Sequence, residues 1–422
     1  CFLLLLLLKN SDKMLRKVGI AQKKLAFDFD FWIIGGIFMK KFVAGVVALT
    51  IAFGGMALPA ESGFSAVSAN AEEMSEANVD VQAADDVKIA GDSFVYGDFH
   101  YQILDDGNVE ITKYSGTDEK VVIPSAINGK KVTSTGEWAF DECRSLTSIT
   151  IPDSVKSIGE FTFSSCTGLT SVTIGNGVTS IGGAAFNGCT GLTSVTIPNS
   201  VKSIGMNAFT SCSSLKSVTI GNSVATIEEG AFGYCTSLTN VTIPDSTVRI
   251  DSGAFLGCSS LTNITVGSKN KNYSSENGIL FNKDKTELCA YPAGDSRKEY
   301  KIPDSVTSIG NDAFSYCTNL VNITISDSVK SIGEYAFCHC ENLTSIKIPD
   351  GVTSIENFTF SYCTNLTSVI IPDSVNSIAV GAFSECTSLT SVKMPSSLSE
   401  IGGAAFSKCS SLKNITIPDG VS

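Results

Sequence analysis

The sequence predicts a parallel-strand solenoid, with one short β-strand and short helical turns per repeat, a β-rich N-terminal cap and one β-hairpin insertion. Three columns carry that expectation. Cysteine recurs every 23 residues, at Cys143, Cys166, Cys189, Cys212, Cys235 and Cys258, and again at Cys317, Cys340, Cys363, Cys386 and Cys409. Phenylalanine stands three residues before each of them, from Phe140 to Phe406, and leucine three residues after, from Leu146 to Leu412. A fixed period of this length marks stacked units, none of which can bury its apolar side alone. Successive coils are therefore expected to share one continuous interior.

Taken in order, residues 1–38 begin at Cys1, run through six leucines and precede Met39-Lys-Lys; they are read as a non-native upstream segment. Residues 39–71 read as a signal peptide: a short basic start, an uncharged run from Phe42 to Leu58, and the small-x-small site Ser68-Ala-Asn-Ala71. That run is also long enough to raise a membrane anchor as the alternative. Residues 72–92 are acidic and small, as in a flexible linker. Residues 93–140, with Val109-Glu-Ile-Thr-Lys-Tyr114, precede the first full repeat and are expected to cap it, since the first coil's exposed core needs a cover. Repeats occupy 141–266 and 299–422. Between them, 267–298 breaks the period and reads as a hairpin around Asn282-Lys-Asp-Lys285. The chain stops mid-repeat at Ser422, so a continuation is expected.

Each repeat reads in two halves. Leu192-Thr-Ser-Val-Thr-Ile-Pro198 alternates as a strand with one buried side, ended by Pro-Asn-Ser turn chemistry. The second half, Val-x-x-Ile-Gly-x-x-Ala-Phe-x-x-Cys-x-x-Leu, has apolar residues three apart, which suits a 3₁₀ or α turn. Its glycines are read as positive-φ turn positions.

With these residues the chain resembles the BspA-like leucine-rich repeats of bacterial surface proteins, over roughly residues 95–422. The resemblance implies a leucine-rich-repeat solenoid. It also implies a secreted or cell-surface, non-catalytic binding or adhesion protein that contacts host proteins, cells or polymers. A structural stalk presenting a further domain, or the non-catalytic part of a larger surface enzyme, are the alternatives.

Composition narrows the partners. With eight basic and four acidic residues in the first 71, positions 72–422 keep 22 and 38, a net charge of −16. Such a surface repels phosphate, so nucleic acid is not an expected partner. A protein or glycan ligand is expected instead, met by a monomer at the cell surface or outside the cell; membrane contact is expected only through the leader or an anchor beyond the chain. The cysteine column reads as small buried hydrophobes with free thiols. Cys338-His339-Cys340 resembles a metal triplet, yet adjacent residues converge poorly on one ion and Cys340 belongs to the column. The recurring aspartates, such as Asp153, Asp245 and Asp373, suit strand-ending turns better than calcium. No catalytic residue, cofactor or metal is expected, because the serines recur with the repeat and no nucleophile elbow or phosphate loop is present.

What remains is the outward face of the strands. One column runs through Ser148, Ser171, Ser194, Ser217 and their successors, the next through Thr150, Thr173, Thr196 and Thr219. The second half departs from this hydroxyl pattern. Ser345, Lys347, Ile370 and Lys393 are the candidate ligand-binding residues, a cation, an apolar residue and a cation on successive repeats.

Overall fold

The structure, a computed structural model, describes residues 87–89 and 93–421. The upstream segment, the leader and most of the acidic linker lie outside the described residues. Val87–Ile89, placed in the linker by composition, is a strand paired antiparallel with Ser93–Tyr96. Its Val-Lys-Ile alternation was masked by the acidic stretch before it.

Four strands, Val87–Ile89, Ser93–Tyr96, Phe99–Ile103 and Val109–Tyr114, form an antiparallel meander. Gly97 and Gly107 hold positive φ at two of its turns. The last strand then pairs in parallel with Lys130–Thr135, which pairs in parallel with Ser157–Ile158 in the first coil. The module thus hands its sheet directly to the solenoid. It also starts the aromatic stack: Tyr114 lies 5.2 Å from Phe140.

Each coil has three sides. On the first, strands such as Ser148–Ile151 and Ser171–Ile174 pair in parallel, each residue facing its counterpart 23 positions on. Ile149 and Ile151 are buried, while Ser148 and Thr150 point outward. The second side was not anticipated. It is a further parallel ladder of two-residue strands, Ser157–Ile158, Ser180–Ile181, Ser203–Ile204 and onward, with Ile inward. Two residues are too few to show a period of two, so the sequence suggests only one strand per repeat.

The third side corrects the expected helical turns, for no helix occurs among the described residues. The three-residue spacing does produce i→i−3 bonds: the N–H groups of Asp141 and Cys143 donate to the carbonyls of Trp138 and Phe140. The N–H groups between them turn outward along the axis. Those of Trp138, Phe140 and Glu142 donate to Glu160, Thr162 and Ser164 of the next coil, at 3.1, 2.7 and 2.8 Å. Two left-handed residues per coil make this possible, as at Trp138 and Glu142 or Asp312 and Tyr316. A left-handed residue every fourth position stops a helix before it starts.

This side also revises the reading of the glycines. Gly159 and Gly182 do not hold positive φ. They stand where coils approach closely: a Cβ on Gly182 would lie 2.7 Å from the carbonyl carbon of Gly159.

Inside, Phe140, Phe163, Phe186, Phe209, Phe232 and Phe255 stack at 4.9 to 5.9 Å. Tyr291 leads a second stack through Phe314, Phe337, Phe360, Phe383 and Phe406. The cysteines have a stated task beside them. The thiol of Cys189 donates to the carbonyl of Phe163 at 3.2 Å, and Cys212 does the same to Phe186 at 3.2 Å. A small apolar group that can still donate satisfies a buried acceptor without adding bulk. All thirteen described cysteines are free.

The insertion is a three-stranded meander, not a two-stranded hairpin. Tyr273–Glu276 pairs antiparallel with Ile279–Asn282, which pairs antiparallel with Glu287–Ala290. The overlooked turn is Asn277-Gly278, both with positive φ, the usual chemistry of a two-residue hairpin loop. Glu287–Ala290 then pairs in parallel with Ser308–Ile309 and restores the second-side ladder. Ile279–Asn282 divides the interior in two, against the expectation of one continuous core. Leu280 belongs to the cluster that runs back to Tyr101, whereas Ile279 and Phe281 belong to the cluster that runs on to Cys409. Alternate side chains of a strand point to opposite faces, so one strand can serve both cores.

Candidate binding surface

The first-side strands position every candidate from the sequence. Lys347 in Ser345–Lys347 faces Ile370 in Ser368–Ile370, which faces Lys393 in Ser391–Lys393. Ser345, Lys347, Ile370 and Lys393 are all exposed, Ile370 to 60%. The four therefore lie on adjacent strands of one face. Lys347 Nζ reaches Asp327 Oδ1 at 3.3 Å with both side chains largely in water. Such a pair contributes about 0–1 kcal/mol, so the ammonium remains available to a ligand. Lys393 has no ion-pair partner among the described residues.

Two members of this face were missed. Lys301, in Glu299–Lys301, faces Thr324 and opens the same column. Val122, in Lys120–Val122, faces Thr150 at the other end of the face and is 67% exposed. Neither strand is preceded by the Cys-x-x-Leu that leads into the others, since Ser115 and Asp118 stand there before Val122 and Gly294 and Arg297 before Lys301, which is why the repeat count did not reach them. The lysines at 301, 347 and 393 alternate with Thr324 and Ile370, two coils apart or roughly 9–10 Å.

The aspartates close each strand by reaching to the next coil. Asp153 Oδ1 accepts the N–H of Asn176 at 2.6 Å, Asp245 that of Lys269 at 2.9 Å, and Asp373 that of Ser396 at 3.1 Å. One carboxylate oxygen of each is engaged in this cap. Among the described residues no three His, Cys, Asp or Glu side chains converge on a metal site.

A second surface lies on the turn side. Tyr316, His339 and Tyr362 stack at 4.4 and 4.3 Å, and the Tyr316 hydroxyl meets that of Tyr234 at 3.0 Å across the insertion. Burial between the rings lowers the His339 pKa, with Glu341 at 3.6 Å opposing it. The Cys338-His339-Cys340 triplet is split by this arrangement. His339 belongs to the ring stack, while Cys340 donates to the Phe314 carbonyl at 3.1 Å. Burial pushes the Cys338 thiol up to about 12, so it is no thiolate at neutral pH.

Where the insertion parts the coils, a cleft of about 670 Å³ opens, lined in part by Asp251, Glu287, Asp312 and Glu356. Asp312 accepts the Ser252 hydroxyl at 2.6 Å. Burial, above all, and the charges of Glu229 and Glu334 raise its pKa against that bond. A carboxyl raised on folding contributes stability below its unfolded value of about 3.9 and loses it as pH climbs through the folded value. Asp312→Asn should therefore raise the urea midpoint at pH 7, with the gain shrinking as the pH is lowered toward 4. An unchanged or lower midpoint at pH 7 would show that the carboxylate is not under strain.

The family described as BspA type Leucine rich repeat region matches residues 116–214, 181–282 and 290–413. Among solved structures, the chain is similar to a leucine rich cell surface protein from Faecalibacterium prausnitzii. The identity is 32% and the TM-score 0.64, over 79% of this chain and 95% of that one. It is similar in fold to the pneumococcal vaccine antigen PcpA, at 24% identity and TM-score 0.68, over 79% and 93%. A leucine-rich repeat protein from Eubacterium ventriosum matches at 26% identity and TM-score 0.56, over 78% and 91%. The search of curated proteins finds no match.

Proposed function

The chain belongs to the BspA-type leucine-rich-repeat family, and on that premise we propose that it is a non-catalytic binding protein of the cell surface. Its ligand, a protein or a glycan, is engaged by the first-side strand face. The observation that carries this reading is the row of Lys301, Lys347, Ile370 and Lys393 in register on an otherwise hydroxyl-bearing sheet. Strand propensity suits an Ile here, but solubility does not explain its exposure, and between two cations it combines an apolar contact with two charge-assisted donors. The likeness to a protein described as a leucine rich cell surface protein supports the location.

The test is retention of the labelled full chain on bacterial and host cell surfaces. Wild type should be retained, and Lys347→Ala/Ile370→Ser/Lys393→Ala should lose at least tenfold in apparent affinity with its unfolding midpoint unchanged. Equal retention of the variant would remove this face as the contact. Failure of wild type to bind any surface would favour a stalk.

A further inference from the structure

We propose a second binding site, distinct from the lysine row: a groove on the first-side face at residues 172–222 that takes an extended, uncharged polysaccharide. The groove encloses about 580 Å³ and crosses three coils. Its polar walls are Thr173, Thr196 and Thr219 with Asn176, Asn199 and Asn222; Ile174, Ile197, Pro198 and Ile220 form its buried floor, and half-buried Val172 adds a little apolar surface.

Three properties select the ligand. First, none of the twelve lining residues is charged, although the chain as a whole is strongly acidic. The exclusion extends along the face, since the two outward columns from Ser148 to Thr265 hold only Ser, Thr and Asn. An ionic ligand would find no counter-charge there, and a purely apolar one would leave hydroxyls and amides without partners. Second, those groups are free to bind. The Thr173, Thr196 and Thr219 hydroxyls make no hydrogen bond among the described residues. Asn199 uses only its Oδ1, accepting the Asn222 N–H at 2.7 Å, which leaves its amide N–H groups outward. Hydroxyls and amides both donate and accept, as sugar hydroxyls do. Third, the groove crosses an open seam. The strands Ser171–Ile174 and Ser194–Thr196 belong to separate sheets, so the ladder is interrupted between these two coils.

The geometry also sets the ligand's direction. Coils repeat at roughly 4.8 Å, the spacing of neighbouring strands. That is close to the length of one pyranose in an extended β-linked chain, so a polymer lying along the axis meets the same Thr and Asn at each sugar.

The experiment is affinity measurement by calorimetry on the full chain with cellohexaose and chitohexaose, with maltohexaose as an α-linked control and oligogalacturonate as a charged one. One or both β-linked probes should bind in preference to the controls. Thr173→Val/Thr196→Val/Thr219→Val keeps the branched strand residues, removes the three hydroxyls, and should weaken binding at least tenfold. Thr196→Glu should abolish it, and both variants should keep the wild-type unfolding midpoint. Lys347→Ala/Ile370→Ser/Lys393→Ala should bind these probes as wild type does, which separates this site from the lysine row. No binding of either β-linked probe, preference for a control, or binding unaffected by the threonine changes would overturn the proposal.

Discussion

Phe209→Ala should cost about 3–5 kcal/mol of unfolding free energy, the range for removing a fully buried aromatic ring. Phe209 is wholly buried and lies 5.0 Å from Phe186 and 5.4 Å from Phe232. Its loss removes two ring contacts at once and leaves a void that neighbours held by backbone ladders cannot collapse into. Because each coil touches only those beside it, the damage should be local. Hydrogen exchange should accelerate most in the coils around Phe186, Phe209 and Phe232 and little beyond Phe314. Tyr335→Ala serves as the control, since that ring is partly in water and, among the described residues, stacks only on Phe358. A Phe209→Ala penalty below about 1 kcal/mol would mean that the aromatic column is not what binds the coils together.

The same column explains what the sequence made legible. A residue type that must recur at one position in every coil writes its period into the chain, so the stack, the thiol row and the alternation at Ile149 and Ile151 could be read directly. The second-side strands could not, because Ser-Ile is too short to show alternation. The turn side misled for a different reason. Residues three apart do bond within the coil, yet the left-handed backbone at Trp138 and Glu142, or at Asp312 and Tyr316, belongs to residue types that seldom announce it. Among the candidate residues, Lys347, Ile370 and Lys393 were visible because they break a regular column. Lys301 and Val122 were not, since their strands stand at the borders where the column markers fail. The uncharged groove was hidden by its own regularity: a Thr ladder is what strand propensity alone would give, and the breaks in the ladder on either side of Ser194–Thr196 and Ser217–Thr219 are not written in the sequence.

The insertion yields the sharpest separation of effects. Leu280 and Phe281 are neighbours in one strand, both buried, and they serve different cores. Leu280→Ala should cost about 2–5 kcal/mol and Phe281→Ala about 3–5 kcal/mol. The two losses should be felt in opposite directions along the chain. Leu280→Ala should speed hydrogen exchange in the coils before the insertion, around Phe232, Phe255 and Leu261. Phe281→Ala should speed it after the insertion, around Leu288, Ile309 and Phe314. The physical reason is the period of two in a strand, which sends consecutive side chains to opposite faces. In a single shared interior both substitutions would loosen the same coils. Overlapping exchange patterns for the two variants would therefore restore the continuous core, and with it a solenoid that the insertion does not divide.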